Sequence, residues 1–434
     1  MYKAYITKIT NLRKHSNADR LLVGECFGNN VIVSLDTKEG DVGVYFPVDG
    51  KLSEEFATIN DLVRRKDEFG NPCGGYLDPE KRNITAIKLR GEKSDGLFMP
   101  LTSLSKFTDI TKLEVGLAFD TLNGKQICEK YIPNRPNRCG CGCSQHTSKK
   151  KIKVNEYPQF TEHVDTEQLA YNINNFKKGD ICYITLKMHG TSQRTANTLH
   201  EKEIKPNFIQ RLFGRKPFKI RQYEVVSGTR RVVLDSFEKD TSYYGGDLFR
   251  KQWHDFFAKR LHEGEEVFYE VLGYTDSGRL IMGEADNKKT KDKEFIAQYG
   301  ATTKFTYGCE PNECVAYVYR MTYTSPEGLV IEYPTELVQR RCDEMGIPFV
   351  PVFEKFIFTT KANLMKRVEK YYDGTDPVGK THIREGVVVR IDNRPIFKAY
   401  KHKNFNFKVL EGIIKTDAQA PDMEEAQEWL WQIV

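Results

Sequence analysis

Over the first ~105 residues, apolar runs of only about four to eight residues alternate with tight-turn signals, a rhythm that leaves little room for helix. The runs are Tyr2–Ile9, Leu21–Cys26, Asn30–Leu35, Gly43–Pro47, Asn83–Leu89 and Gly96–Pro100. Gly-Asn, Asp-Gly, Glu-Gly-Asp and Arg-Gly-Glu separate them, and glycine and asparagine there supply the backbone angles that tight turns need. Short strands at this spacing predict a small all-β barrel of the OB type, although an SH3-like barrel fits the same pattern.

The rhythm stops between Lys125 and Pro158, where PNRPNRCGCGCSQHTSKKKIK mixes Pro, Gly, Cys and Lys without periodicity and reads as a linker. Cys139, Cys141, Cys143 and His146 in it suggest zinc, but zinc sites usually space their cysteines by two to four residues, wider than Cys-Gly-Cys-Gly-Cys. Beyond it, strand-like runs such as Cys182–Leu186, Tyr223–Val226, Val267–Leu272, Cys314–Tyr319, Gly386–Ile391 and Pro395–Tyr400 interleave with helical patterns at Leu248–His262, Thr335–Met345 and Ala362–Tyr372. The expected fold class is α+β: a β barrel in front, then mostly antiparallel sheets with flanking helices.

Composition narrows the setting. With 434 residues, 29% charged and 39% hydrophobic, the chain is long enough for two or three domains with their own cores. Ten cysteines in that length are too dilute for a disulfide framework and are expected as thiols. No run approaches the ~18 apolar residues of a membrane span, and MYKAYITKIT lacks the apolar core of a signal peptide, so a cytoplasmic protein without membrane contact is expected. The net charge of +6 permits a polyanionic partner without demanding one.

That charge is concentrated. Between Glu201 and Arg231 stand nine basic residues (Lys202, Lys205, Arg211, Arg215, Lys216, Lys219, Arg221, Arg230, Arg231) against three acidic ones, a surplus equal to the net charge of the whole chain. Phe208, Phe213, Phe218 and Tyr223 are interleaved, which suits backbone contact with some base stacking on a nucleic acid. A solvated loop with aromatics folded back is the plainer alternative.

Chemistry enters at Cys182-Tyr-Ile-Thr-Leu-Lys187-Met-His189-Gly190, which ends an apolar strand on a lysine and adds a glycine three residues on. A lysine beside other cations can act as a nucleophile, and glycine lets backbone approach a phosphate. Alone this K-x-x-G is weak. It is followed in order by Ser227-Gly-Thr-Arg230-Arg231, Phe268-Tyr-Glu270, Val315-Ala-Tyr317-Val-Tyr319, Arg384-Glu385-Gly386-Val-Val-Val-Arg390 and Lys398-Ala-Tyr-Lys401-His-Lys403. This ordered set resembles the covalent nucleotidyltransferase superfamily of polynucleotide ligases and capping enzymes.

The resemblance implies roles. Lys187 would attack the α-phosphorus of ATP; Gly190 would let the loop approach; Glu270 would take the ribose hydroxyls; Tyr317 would stack on adenine. Glu385 would hold Mg2+ or Mn2+ through its waters, Lys401 and Lys403 would neutralise the α-phosphate, and Arg230, near Ser227, would touch substrate phosphate. From the charge of the 201–231 segment, and not from the resemblance, Arg215, Lys216, Lys219, Arg230 and Arg231 are the expected RNA contacts.

Only 31 residues follow Lys403, too few for a trailing OB domain, and the β domain stands in front. With HSNADRLLVGE, GDVGVYFPVDGKL and ITAIKLRGEKSDGLFMPL, the chain resembles ATP-dependent RNA ligases of the Deinococcus–Naegleria type. That resemblance implies an OB-like nucleic-acid-binding domain over 1–124, a Cys/Lys-rich linker over 125–158 and an adenylyltransferase (ATP-grasp-like) domain over 159–434. It implies RNA as partner; the oligomeric state is left open, a monomer being the plainer expectation. Departures from the family pattern are Leu186 where a glutamate often reaches adenine, His189 for an aspartate, Tyr269 for a glycine and Gln168 near the usual place of a phosphate-binding arginine. Two other readings stand beside it: a ligase for DNA/RNA hybrid nicks, and a non-catalytic RNA-binding protein retaining the fold.

Overall fold

Antiparallel sheet dominates both compact units of the computed structural model, which describes residues 2–132, 157–163, 166–204, 216–230, 232–234, 237, 244 and 246–416. Cys139, Cys141, Cys143 and His146, and Arg215 and Arg231 of the basic segment, lie outside the described residues. The seven other cysteines are free thiols.

The first unit gathers three stretches of chain, Met1–Asn134, Ala285–Ala301 and Phe405–Asp417. Its largest sheet orders Leu97–Pro100, Val42–Phe46, Ala4–Lys8 and Ala118–Phe119. Two three-stranded sheets accompany it: Thr10–Lys14 with Leu21–Cys26 and Asn29–Ser34, and Cys128–Lys130 with Gly50–Leu52 and Asn83–Ile84. No closed barrel is found among the described residues of this unit.

Period-two burial builds this unit's core, with Ala4, Ile6, Val44 and Phe46 inward. The helix Glu54–Ile59 starts where Ser53 accepts the Phe56 amide, and it lays Phe56 against Phe46 at 5.3 Å between rings. The helix Phe405–Thr416 was not expected after the lysine-rich strand. It buries Phe407, Leu410 and Ile414 at helical spacing, and its Lys408 and Lys415 pair with Asp95 and Asp49 of the same unit.

The second unit carries two five-stranded sheets. One orders Glu167–Gln168, Lys398–Lys403, Gly386–Ile391, Ile181–Lys187 and Val352–Ile357, antiparallel except at its first pair. Its valine-rich Gly386 strand turns Val387, Val389 and Ile391 into a core shared with Leu364 and Val368 of the helix Lys361–Glu369, which Thr360 caps. The other sheet orders Phe218–Gly228, Thr191–Ile204, Glu265–Gly273, Cys314–Thr324 and Val330–Glu332, all antiparallel. The helix Leu248–Ala258 covers its far face, where Phe257 meets Tyr269 at 4.8 Å. The expected antiparallel sheets with flanking helices are found here. No described helix is long and apolar enough to cross a membrane.

Candidate active site

Three neighbouring strands place the lysine motifs in one row. Lys187 pairs in register with Gly386, and Gly386 with Lys403; one row inward, Thr185 is level with Val388 and Val388 with Lys401. Residues two apart on a strand share a face, so both C-terminal lysines rise on the side of the nucleophile candidate. Gly386 is required at the centre. Its φ is +149°, and an added Cβ would come within 2.2 Å of the His402 carbonyl oxygen.

Glu385 stands immediately before that glycine. Its Oε2 lies 3.0 Å from Lys187 Nζ and its Oε1 3.2 Å from Lys403 Nζ, while its own side chain is only 1% exposed. A carboxylate this buried is tolerable because both oxygens meet a cation. The lysine tips thus sit about one carboxylate apart.

The turn after Lys187 is fixed from the second sheet. Gly190 donates its amide to Glu270 Oε1 at 3.1 Å, and a Cβ there would meet the Val271 carbonyl oxygen at 2.4 Å. The His189 amide donates to the Tyr307 hydroxyl at 2.7 Å. Burial, with Asp376 and Glu385 nearby, pushes that phenol well above its usual range, so it stays neutral and able to accept. Tyr307 is a positioning residue that sequence reasoning missed, since it lies in no motif.

Between the sheets runs a small cleft of about 120 Å³. The first sheet lines it with Thr185, Lys187, Val388 and Arg390, the second with Ser192, Glu270 and Tyr319. His163, Arg230, Phe349 and Phe397 add to the wall. Tyr317 pairs in register with Glu270, but the aromatic lining the cleft from its strand is Tyr319. Between Phe268 and Tyr269 the register shifts: Tyr269 faces Val318 and Phe268 faces Arg320, leaving Tyr319 as the extra residue. Ser227 is buried, its hydroxyl 2.8 Å from Thr195 Oγ1 and 2.9 Å from His254 Nδ1.

No cluster of three or more His, Cys, Asp or Glu among the described residues forms a protein-only metal cage. Glu270 lines the cleft, and the buried Glu385 touches its Lys187. They suit an ion of the magnesium type, which keeps several waters and takes most other ligands from substrate phosphates.

The basic segment is on the hairpin of Thr191–Ile204 and Phe218–Gly228. Lys216, Lys219 and Arg221 are exposed there, as are Phe218 and Ile220. Glu201 binds two of these cations, Lys219 at 3.3 Å and Arg221 at 2.5 Å.

No protein-family model matches the sequence, and no curated protein matches it. Among solved structures, a Naegleria gruberi RNA ligase variant with ATP and Mn aligns over 94% of this chain and 97% of its own, at 15% identity and TM-score 0.55. The Naegleria gruberi RNA ligase with PPi aligns over 93% and 97%, at 16% identity and TM-score 0.56. The fold is that of the Naegleria RNA ligase. A further variant of it, with AMP and Mn, aligns over 93% and 97% at TM-score 0.54. The ligase fold therefore spans nearly the whole chain rather than a single domain.

Proposed function

We propose that this chain is an ATP-dependent RNA ligase that joins 5′-phosphate and 3′-hydroxyl ends. The observation that carries this reading is the register row Lys187–Gly386–Lys403, with Glu385 touching both lysines, set at the lip of a cleft in a ligase fold.

Lys187 Nζ attacks the α-phosphorus of ATP; the P–N bond forms as the bond to the β-phosphate oxygen breaks, and pyrophosphate leaves. Attack needs the free amine, so the ion pair with Glu385 belongs to the resting state and opens before reaction. Lys403 and Lys401 then face the α-phosphate and offset its charge. Tyr319 and Val388, one from each sheet, offer the base its two apolar walls, the stacking role first assigned to Tyr317. Glu270 and Arg230 hold the ribose and a phosphate.

A divalent cation, bound chiefly through nucleotide phosphates with Glu385 and Glu270 nearby, would supply charge neutralisation on the phosphates. A 5′-phosphate on RNA next displaces the lysine, and the resulting RNA-adenylate is opened by a 3′-hydroxyl with release of AMP. The first ~124 residues are the proposed OB-like nucleic-acid-binding part, residues 159–434 the catalytic part, and the 191–228 hairpin with Lys216 and Lys219 the proposed RNA contact.

Incubation with α-labelled ATP and Mg2+ or Mn2+, followed by denaturing electrophoresis, tests the reading. Label on the protein that disappears in Lys187→Ala is the expected result. Its absence from the wild type with any nucleotide would turn the case toward an RNA-binding protein.

A further inference from the structure

Arg320, on the strand that supplies Tyr319, is held on three sides. Glu332 accepts from its Nε at 3.1 and 3.0 Å and also from Nη2, and the rings of Phe268 and Phe397 flank the guanidinium at 4.5 and 4.3 Å. Nη1 reaches His163, 3.1 Å from Nδ1. A guanidinium only donates, so Nδ1 accepts and the single imidazole proton sits on Nε2.

Nε2 lies 3.3 Å from the Tyr319 hydroxyl. It therefore donates, the phenol oxygen accepts, and the phenol's own hydrogen points away from His163, on the side where Ser192 Oγ lies at 3.4 Å. A second proton on His163 would reverse this, but burial and the charges of Arg320, Arg230 and Arg194 hold its pKa well below the usual histidine value. All three side chains His163, Tyr319 and Ser192 line the same cleft.

Resting on the ligase reading, we propose that His163 is a positioning residue: oriented by Arg320, it sets Tyr319 to donate its hydroxyl hydrogen to a ribose or phosphate oxygen of the bound nucleotide. Tyr319 thus holds the nucleotide by polarity as well as by its ring face. His163 itself touches the nucleotide only through Tyr319.

The test is self-adenylation kinetics with ATP for wild type, Tyr319→Phe, His163→Met, the double variant and His163→Gln. Loss of one neutral hydrogen bond predicts a rise in KM of about threefold to tenfold in each of the first two variants, with a smaller change in kcat. The double variant should be no worse than either, because both remove the same bond. Glutamine, which can accept from Arg320 and donate to Tyr319, should restore most of the affinity. Additive effects, an unchanged KM in Tyr319→Phe, or no rescue by glutamine would overturn the inference while leaving the ligase reading intact. A wild type that takes no label from ATP removes both. If His163→Met fails to fold, Tyr319→Phe and His163→Gln still decide it.

Discussion

Glu385 joins the two cations that the proposed reaction needs close together. Changing it to glutamine keeps the shape and removes the charge, so the Lys187 and Lys403 ammoniums lose the anion they share. Breaking a fully buried pair costs about 3–5 kcal/mol, and the partial exposure of Lys187 reduces that here to about 1–3 kcal/mol. Urea denaturation of Glu385→Gln should show that loss, and lysyl-AMP formation should fall by at least ~100-fold, as when one electrostatic contact to a transition state is removed. Lys187→Ala separates the two effects, because it abolishes the label while Glu385 keeps Lys403. Full adenylation by Glu385→Gln would remove this carboxylate from the mechanism.

Among the elements, the strand starting at Gly386 sets the spacing of the row. Gly386→Ala places a methyl group against the His402 carbonyl, forces its pairing with the Lys403 strand to open, and so displaces Lys403. Adenylation should drop by at least ~10-fold together with a stability loss of about 1–3 kcal/mol from the strained backbone, read by labelling and thermal melting on one preparation. The hairpin makes the opposite prediction. Glu201→Gln releases Lys219 and Arg221, so RNA affinity at low salt should rise, and the slope of log K against log salt should steepen by about one to two counterions. An unaltered slope would place RNA elsewhere. Local pattern made much of this legible: the helix Thr335–Met345, the apolar strand ending on Lys187 and the valine strand all follow from periodicity. What stayed hidden depends on pairing across distance. Tyr319 lines the cleft beside the Tyr317 that the motif order singles out, and His163 and Tyr307 join the site only through contacts far along the chain. Turn rhythm reports where strands end but not how distant strands pair, so it leaves closure of the N-terminal sheets into a barrel unread.

At the scale of the molecule, acid sensitivity follows from the second unit's interior. His163, His254 and His382 are all held below the ordinary histidine value by burial. The unfolded chain therefore takes up protons below about pH 6.5 that the folded chain refuses, and stability declines as pH falls from there toward the folded values. Asp247 and Glu266, raised by burial, work in the other direction, offsetting the decline in the carboxylate range. The melting temperature should drop between pH 7 and pH 5, and His382→Gln should flatten the slope; a flat wild-type profile would contradict neutral burial. The first unit, meanwhile, is assembled from Met1–Asn134 together with Ala285–Ala301 and Phe405–Asp417. Lys408 and Lys415 on the last of these segments answer Asp95 and Asp49 on the first. Domains usually fold as units in the order the ribosome delivers them, at about 5–20 residues per second. Here the leading segment leaves the ribosome with Asp49 and Asp95 still awaiting their lysines, and the helix that buries Phe407, Leu410 and Ile414 in the same unit not yet translated. For tens of seconds it is an unfinished surface, which makes this chain one for which chaperone supply during synthesis should matter more than its final stability.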